Sequence, residues 1–119
     1  MTEGFGPGGA LLWHSYVDVM DLDPGELANL RQACFELDEC DHIQALIAQT
    51  APLIKGSVGQ VKMNPLYQEA REHRKVLLKL LAQIKVPATS AVTNRVSNIL
   101  SLRAQTAARA RWGRRKAGG

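Results

Sequence analysis

The placement of proline constrains this chain more than any other feature. Pro24, Pro52, Pro65 and Pro87 divide it, and none falls inside a segment of helical apolar periodicity. Proline lacks a backbone N–H and its ring clashes with the preceding turn, so a helix starts at it or stops before it. Three of the intervals so defined have the length and periodicity of helices. One short interval does not. The expected fold class is therefore mainly α.

Ahead of Pro24, the run Gly4, Gly6, Pro7, Gly8 and Gly9 predicts a flexible leader over residues 1–9. Leu11, Leu12, Tyr16 and Val19, with Trp13 beside them, predict a short N-terminal helix over 10–20. Asp23-Pro24-Gly25-Glu26 is a strong helix start: Asp23 caps, Pro24 fits the first turn, and Glu26 reaches back to close a capping box. That helix should run to about Gln49 on a stripe of Leu27, Leu30, Cys34, Leu37, Ile43, Leu46 and Ile47. Residues at about 52–63 change character. Leu53-Ile54-Lys55, a Gly56-Ser57 turn and Val58 to Met63 predict a small β-hairpin between the long helices. A lone hairpin is marginal in water, so it must lean on a helix or on a neighbouring subunit.

Asn64-Pro65 then opens a second long helix over 66–85, with Leu66, Ala70, His73, Leu77, Leu81 and Ile84 as its stripe. Its polar face carries Arg71, Arg74, Lys75 and Lys79. The two long helices should pair antiparallel, the acids of the first facing the bases of the second. Leu30, Leu37, Leu77 and Leu81 would hold that pair and the oligomer together. Residues 10–87 thus form a helical oligomerisation core, because folds with so small a core are often completed by association. Residues 88–119 form a basic C-terminal helix and tail, helical over 90–110 on Val92, Val96 and Ile99.

Charge is distributed as unevenly as proline. The net charge of +4 conceals nine acids and one base in residues 1–50, against seven bases and no acid in residues 95–119. An acidic half can meet a basic half, within one chain or between copies. A basic end without acids invites phosphate. No apolar run approaches the ~18 residues of a membrane helix, and no secretory signal is expected at the N-terminus. Cys34 and Cys40 are too few for a disulfide framework and fit a reducing compartment.

Catalytic and ligand motifs are weak. No phosphate loop of the Gly-x-x-x-x-Gly-Lys-Ser/Thr form is present, so no nucleotide cofactor is expected. Gly56-Ser57-Val58-Gly59 reads as a hairpin turn rather than an RNA-clamping loop, since strands flank it. Cys34, Cys40 and His42 match no zinc spacing, and no metal is expected. His73 lies on an apolar stripe and reads as a packed, hydrogen-bonded histidine. Asp38, Glu39 and Asp41 point different ways on a helix, which suits a solvated or partner-facing surface better than a two-metal centre. No catalytic residue is therefore assigned. The sharpest signal is the tail. Arg109, Arg111, Arg114, Arg115 and Lys116 would contact phosphate or an acidic partner, with Trp112 stacking or docking. Arg95 and Arg103 form a second line, and Lys75 and Lys79 are weaker candidates. Seven neutralised phosphates would give a salt slope as steep as about −6.

Several of these residues together resemble a known family. They are Asp23-Pro24-Gly25-Glu26-Leu27, Leu30-Arg31-Gln32-Ala33-Cys34, and the Gly56-to-Gly59 hairpin leading into Met63-Asn64-Pro65-Leu66. Glu69-Ala70-Arg71, Arg74, Leu77-Leu78-Lys79-Leu80-Leu81 and Ala107-Ala108-Arg109-Ala110-Arg111-Trp112 complete the pattern. Over roughly residues 10 to 112 the chain resembles the small terminase subunits of tailed phages, in the form common among phages of actinobacteria. The resemblance implies a non-enzymatic ring-forming protein of about eight to twelve copies. Such a protein would bind double-stranded phage DNA at its packaging site and recruit the large terminase subunit, which carries the ATPase and nuclease. It would work in the host-cell cytoplasm. Some members of the family carry a separate N-terminal helix-turn-helix. Here the acidic first half makes a poor DNA-reading surface, which moves the expected contact to the C-terminal helix and tail. The alternative is a small dimeric DNA-binding protein of nucleoid or regulatory type without a motor partner. A third reading is an adaptor whose tail docks on protein.

Overall fold

The computed structural model describes the backbone of residues 4–118 and the side chains of residues 4–109. Among the described residues the order is α1 (Pro7–Val17), α2 (Pro24–Ala48), β1 (Leu53–Lys55), β2 (Val61–Met63), α3 (Pro65–Ala82) and α4 (Ala91–Gly118). The mainly α architecture with one small antiparallel hairpin between two long helices is as the sequence predicts. Among the described residues no helix is long and apolar enough to cross a membrane.

The start of α2 follows its sequence atom by atom. Asp23 accepts from the Glu26 N–H at 2.7 Å, and the Glu26 carboxylate accepts from the Asp23 N–H at 3.2 Å. This reciprocal pair satisfies two donors that an isolated helix leaves unmet. α2 and α3 lie antiparallel, and Asn29 donates to Gln83 at 3.0 Å where the start of one meets the end of the other. The main core joins Leu12 and Tyr16 of α1, Leu30, Ala33, Cys34 and Leu37 of α2, Leu77 of α3, Ile84, and Val92 and Ile99 of α4. A smaller cluster of Ile43, Ile47 and Ala70 lies toward the hairpin end. Leu30, Leu37 and Leu77 are fully buried and Leu81 is half-buried. The surface of the first three is used up inside the subunit.

The chain departs from expectation at its N-terminal segment. α1 begins at Pro7, not near residue 10, so part of the expected flexible leader is the first helical turn, with Gly8 and Gly9 buried. The reason lies in α2. Gly6 N–H and Gly9 N–H both donate to the Asp38 carboxylate at 2.7 Å. A helix start has unpaired N–H groups and a partial positive charge, and Asp38 answers both from a neighbouring helix. The glycines are required because α1 sits so close. A Cβ on Gly9 would meet the Asp38 carboxylate and would lie 2.8 Å from the Cys34 carbonyl oxygen. Phe5 anchors the segment further. Its ring meets Phe35 edge-on at 4.9 Å and Trp13 at 5.7 Å, and Arg31 lies over Phe35 at 5.4 Å.

Asn64 fixes the hairpin to the helices. Its side-chain oxygen accepts from Leu66 N–H at 3.1 Å and caps α3. Its amide donates to the Thr50 hydroxyl at 3.1 Å and to the Ala51 carbonyl at 3.0 Å. Its backbone N–H donates to Pro52 O at 2.8 Å. One buried side chain thus closes the loop from the end of α2 to the start of α3. At the other end of the hairpin, Gly59 takes φ +86, a conformation that favours glycine.

α4 runs to Gly118, past the expected end at residue 110 and through Gly113. A glycine costs a helix interior about 1 kcal/mol relative to alanine, and the surrounding Ala and Arg residues are strong helix formers.

Two substitutions test these contacts. Gly9→Ala should lower stability by about 1–3 kcal/mol through overpacking, read as a lower urea midpoint. Asn64→Asp keeps the cap acceptor but loses both donors and sets a carboxylate against the Ala51 carbonyl. It should cost about 1–3 kcal/mol, with wider hydrogen exchange in the hairpin than in α1.

Candidate nucleic-acid interface

The acidic cluster of α2 has an internal use. Asp38 caps α1, as described. Asp41 accepts two hydrogen bonds from Arg103 of α4, from Nε and Nη2, each at 2.9 Å. This forked ion pair joins α2 to α4, and Arg103 also donates to Ile99 O at 3.2 Å. The cluster is therefore neither simply solvated nor turned toward a partner: two of its three carboxylates are structural. Arg103, expected in the second line of phosphate contacts, is held as a tie between helices.

The expected facing of α2 acids and α3 bases reduces to one contact. Glu36 and His73 Nδ1 lie 2.6 Å apart, partly buried, which matches the packed, hydrogen-bonded reading of His73. Arg71, Arg74 and Lys79 instead lie exposed. At 100° per residue, positions 71, 74, 75 and 79 occupy an arc beside the buried stripe of Ala70, His73 and Leu77, not on it. Lys75 bonds Glu72 of its own helix at 3.3 Å.

Arg71 and Arg74, of those bases, share a depression with α4. Gln44, Tyr67, Arg71, Arg74 and Ala107 line a common depression, so α4 passes the first turns of α3 next to two arginines. Arg109, exposed, follows two residues later. The helical backbone continues nine residues beyond it to Gly118, about 14 Å at 1.5 Å per residue. α3 begins at this end, and the hairpin with Lys55 and Lys62 lies there too. The side chains of Arg111, Trp112, Arg114, Arg115 and Lys116 fall outside the described residues. Arg95 and Lys79 lie elsewhere: Arg95 is in the first turns of α4 and Lys79 in the last turn of α3. Along α4, Arg95 and Arg109 are separated by about 21 Å.

Sequence reasoning passed over Arg71 and Arg74 as site residues. Their spacing to the i and i+3 positions of one face was visible, but the crossing of α4 was not. A wider groove of about 830 Å³ opens between α2, α3 and α4, lined largely by Ala and Leu side chains together with Cys40, Asp41, Arg74 and Arg103. Both thiols are free. Burial pushes Cys34 up to about 12, with the Asp38 carboxylate adding to it. Burial likewise pushes Cys40 up to about 11, against a lowering by Arg74. Neither is a thiolate at neutral pH, so neither is an activated nucleophile. Among the described residues no group of three His, Cys, Asp or Glu side chains gathers.

Comparison of the chain with protein-family models, with curated proteins and with solved structures finds no match.

Arg103→Gln separates structure from binding. Both partners of the ion pair are about one-third exposed, so the loss should be modest, about 1 kcal/mol, or a fall of about 4 °C in melting temperature. Affinity for a polyanion should change little, because the Asp41 carboxylate already offsets the Arg103 charge.

Proposed function

We propose that this protein is a non-catalytic, self-assembling DNA-binding component of a phage genome-packaging machine, of the small-terminase type. It grips the phosphate backbone of double-stranded DNA with the hairpin-end bases and the C-terminal helix, and it presents that DNA to the large subunit. The observation that carries the reading is the gathering of charge. Arg71 and Arg74 flank the passage of α4 at Ala107, Arg109 follows, and four further bases continue the same helix with no acid after residue 94. A helix with one sign of charge suits a backbone that carries one negative charge per ~1.7 Å of duplex. The sequence pattern around Asn64-Pro65 and Leu77-Leu81 supports the family reading. So does the division of the chain into an acidic and a basic half, which can order subunits in a ring. The phage and motor parts of the reading rest on that resemblance.

The contact proposed is to phosphate, so its signature is salt dependence rather than base preference. Replacing Arg109, Arg111, Arg114 and Arg115 together with Ala should flatten the slope of log K against log salt by about 3 to 4. The affinity for duplex DNA at low salt should fall at least tenfold, with helix content and melting temperature unchanged. Fluorescence anisotropy across a salt series measures both, and an unchanged slope overturns the reading. Light scattering on the same protein tests assembly: about eight to twelve copies fit a ring, whereas two copies favour a small dimeric DNA-binding protein.

A further inference from the structure

The hairpin carries an apolar face that the subunit itself does not cover. Leu53 pairs with Met63 and Lys55 with Val61 across the ladder, and residues directly opposed in an antiparallel pair share a face. Leu53, Val61 and Met63 therefore lie together, and they are 58%, 66% and 57% exposed. Val58 in the connecting turn is 84% exposed. Two three-residue strands are marginal alone, and Asn64 secures only their base. Grouped exposed apolar side chains of this kind mark a contact surface.

Charge identifies what covers it. The hairpin, residues 53–63, has Lys55 and Lys62 and no acid. At the opposite end of the long helices, residues 18–26 have Asp18, Asp21, Asp23 and Glu26 and no base; Asp18 meets His14 at 3.1 Å and Asp23 and Glu26 close the capping box, which leaves Asp21. Val19 lies among them, 38% exposed, and Leu11 is 53% exposed further along α1. The 25 residues of α2 separate the two ends by about 37 Å. That is several screening lengths at physiological salt, so a subunit cannot satisfy its own complement. A second copy can. Pairing of hairpin with hairpin is disfavoured, since Lys62, central in β2, would then meet Lys62 of the other copy, and a lysine on an edge strand opposes such pairing.

We propose that the hairpin face of one copy docks on the α1–α2 corner of the next, apolar surface on apolar surface, with Lys55, which shares that face with Leu53, Val61 and Met63, beside Asp21. Each copy keeps one free half of each kind, so the contact repeats head to tail and can close into a ring. This gives the assembly proposed above a specific interface, and it rests on that part of the reading only.

The test is charge reversal in the full-length chain, read by sedimentation velocity. Wild type should exceed two copies. Val61→Asp, at an exposed position, should leave the melting temperature unchanged and reduce the mass to one chain. Lys55→Glu and Asp21→Lys should each weaken association at least tenfold, and the chain carrying both should recover to within about threefold of wild type. A wild-type mass of one or two copies overturns the proposal. So do single reversals that assemble normally, or a double reversal that does not recover. Duplex affinity of the same proteins separates the two readings. Intact DNA binding with normal assembly of Val61→Asp removes the docking surface alone. Wild type that assembles as described but binds no DNA removes the DNA reading alone.

Discussion

Two carboxylates one helical turn apart, Asp38 and Asp41, hold the arrangement of the other helices. α2 is the spine of the subunit, and these two residues on one of its faces fasten two elements to it. Asp38 takes the Gly6 and Gly9 N–H groups at the start of α1. Asp41 takes the Arg103 guanidinium of α4. The spacing is that of neighbours on a helix face, so α1 and α4 must meet there. Gly8 sits at that junction: a Cβ on it would meet the Asp41 carboxylate and the Arg103 guanidinium. The glycines are small because two charged groups and a helix start occupy the same space. An alanine in α1 would push α1 away from its cap and strain the tie to α4 together.

This junction also explains which features could be read from the sequence. The capping box at Asp23, the Asn64-Pro65 start, the long stripes of α2 and α3 and the hairpin turn are local signals. Each depends on residues within about four positions of one another, and all but the hairpin turn are found where the sequence places them; the turn runs from Gly56 to Gln60, so β2 starts at Val61 and not at the expected Val58. The start of α1 is not local. Gly6, Pro7, Gly8 and Gly9 read as a flexible segment because nothing near them in sequence satisfies their N–H groups. Their partner lies 29 to 32 residues away. Pro7 at a helix start was the available hint, and glycine content outweighed it. The acidic cluster misled for the same reason. Consecutive acids on a helix look solvated until the third dimension supplies a helix start on one side and an arginine on the other.

The basic site was legible as composition but not as geometry. Seven bases without an acid after residue 94 can be counted from the sequence. That Arg103 is tied to Asp41, that Arg95 stands about 21 Å along the helix from Arg109, and that Arg71 and Arg74 join the far end are consequences of how α4 crosses α3. The crossing is set by Val92 and Ile99, which bury the first half of α4 in the core. Further along, Ala104, Ala107 and Ala108 line the groove that α4 shares with α2 and α3.

The separation of charge along the subunit then follows from topology. An antiparallel pair places the end of α2 and the start of α3 together, so the hairpin joining them must lie at one end of the subunit. The α1–α2 turn must lie at the other. The acids of residues 18–26 and the bases of the hairpin are thus held apart by the length of α2, however the side chains move. Opposite charges within one compact subunit ordinarily approach one another and neutralise. Here the rigid spine prevents it, and each end keeps its field for something outside the subunit. A fold that spends Asp38, Asp41 and Glu36 on internal ties keeps the hairpin lysines and Asp21 at opposite ends of the subunit.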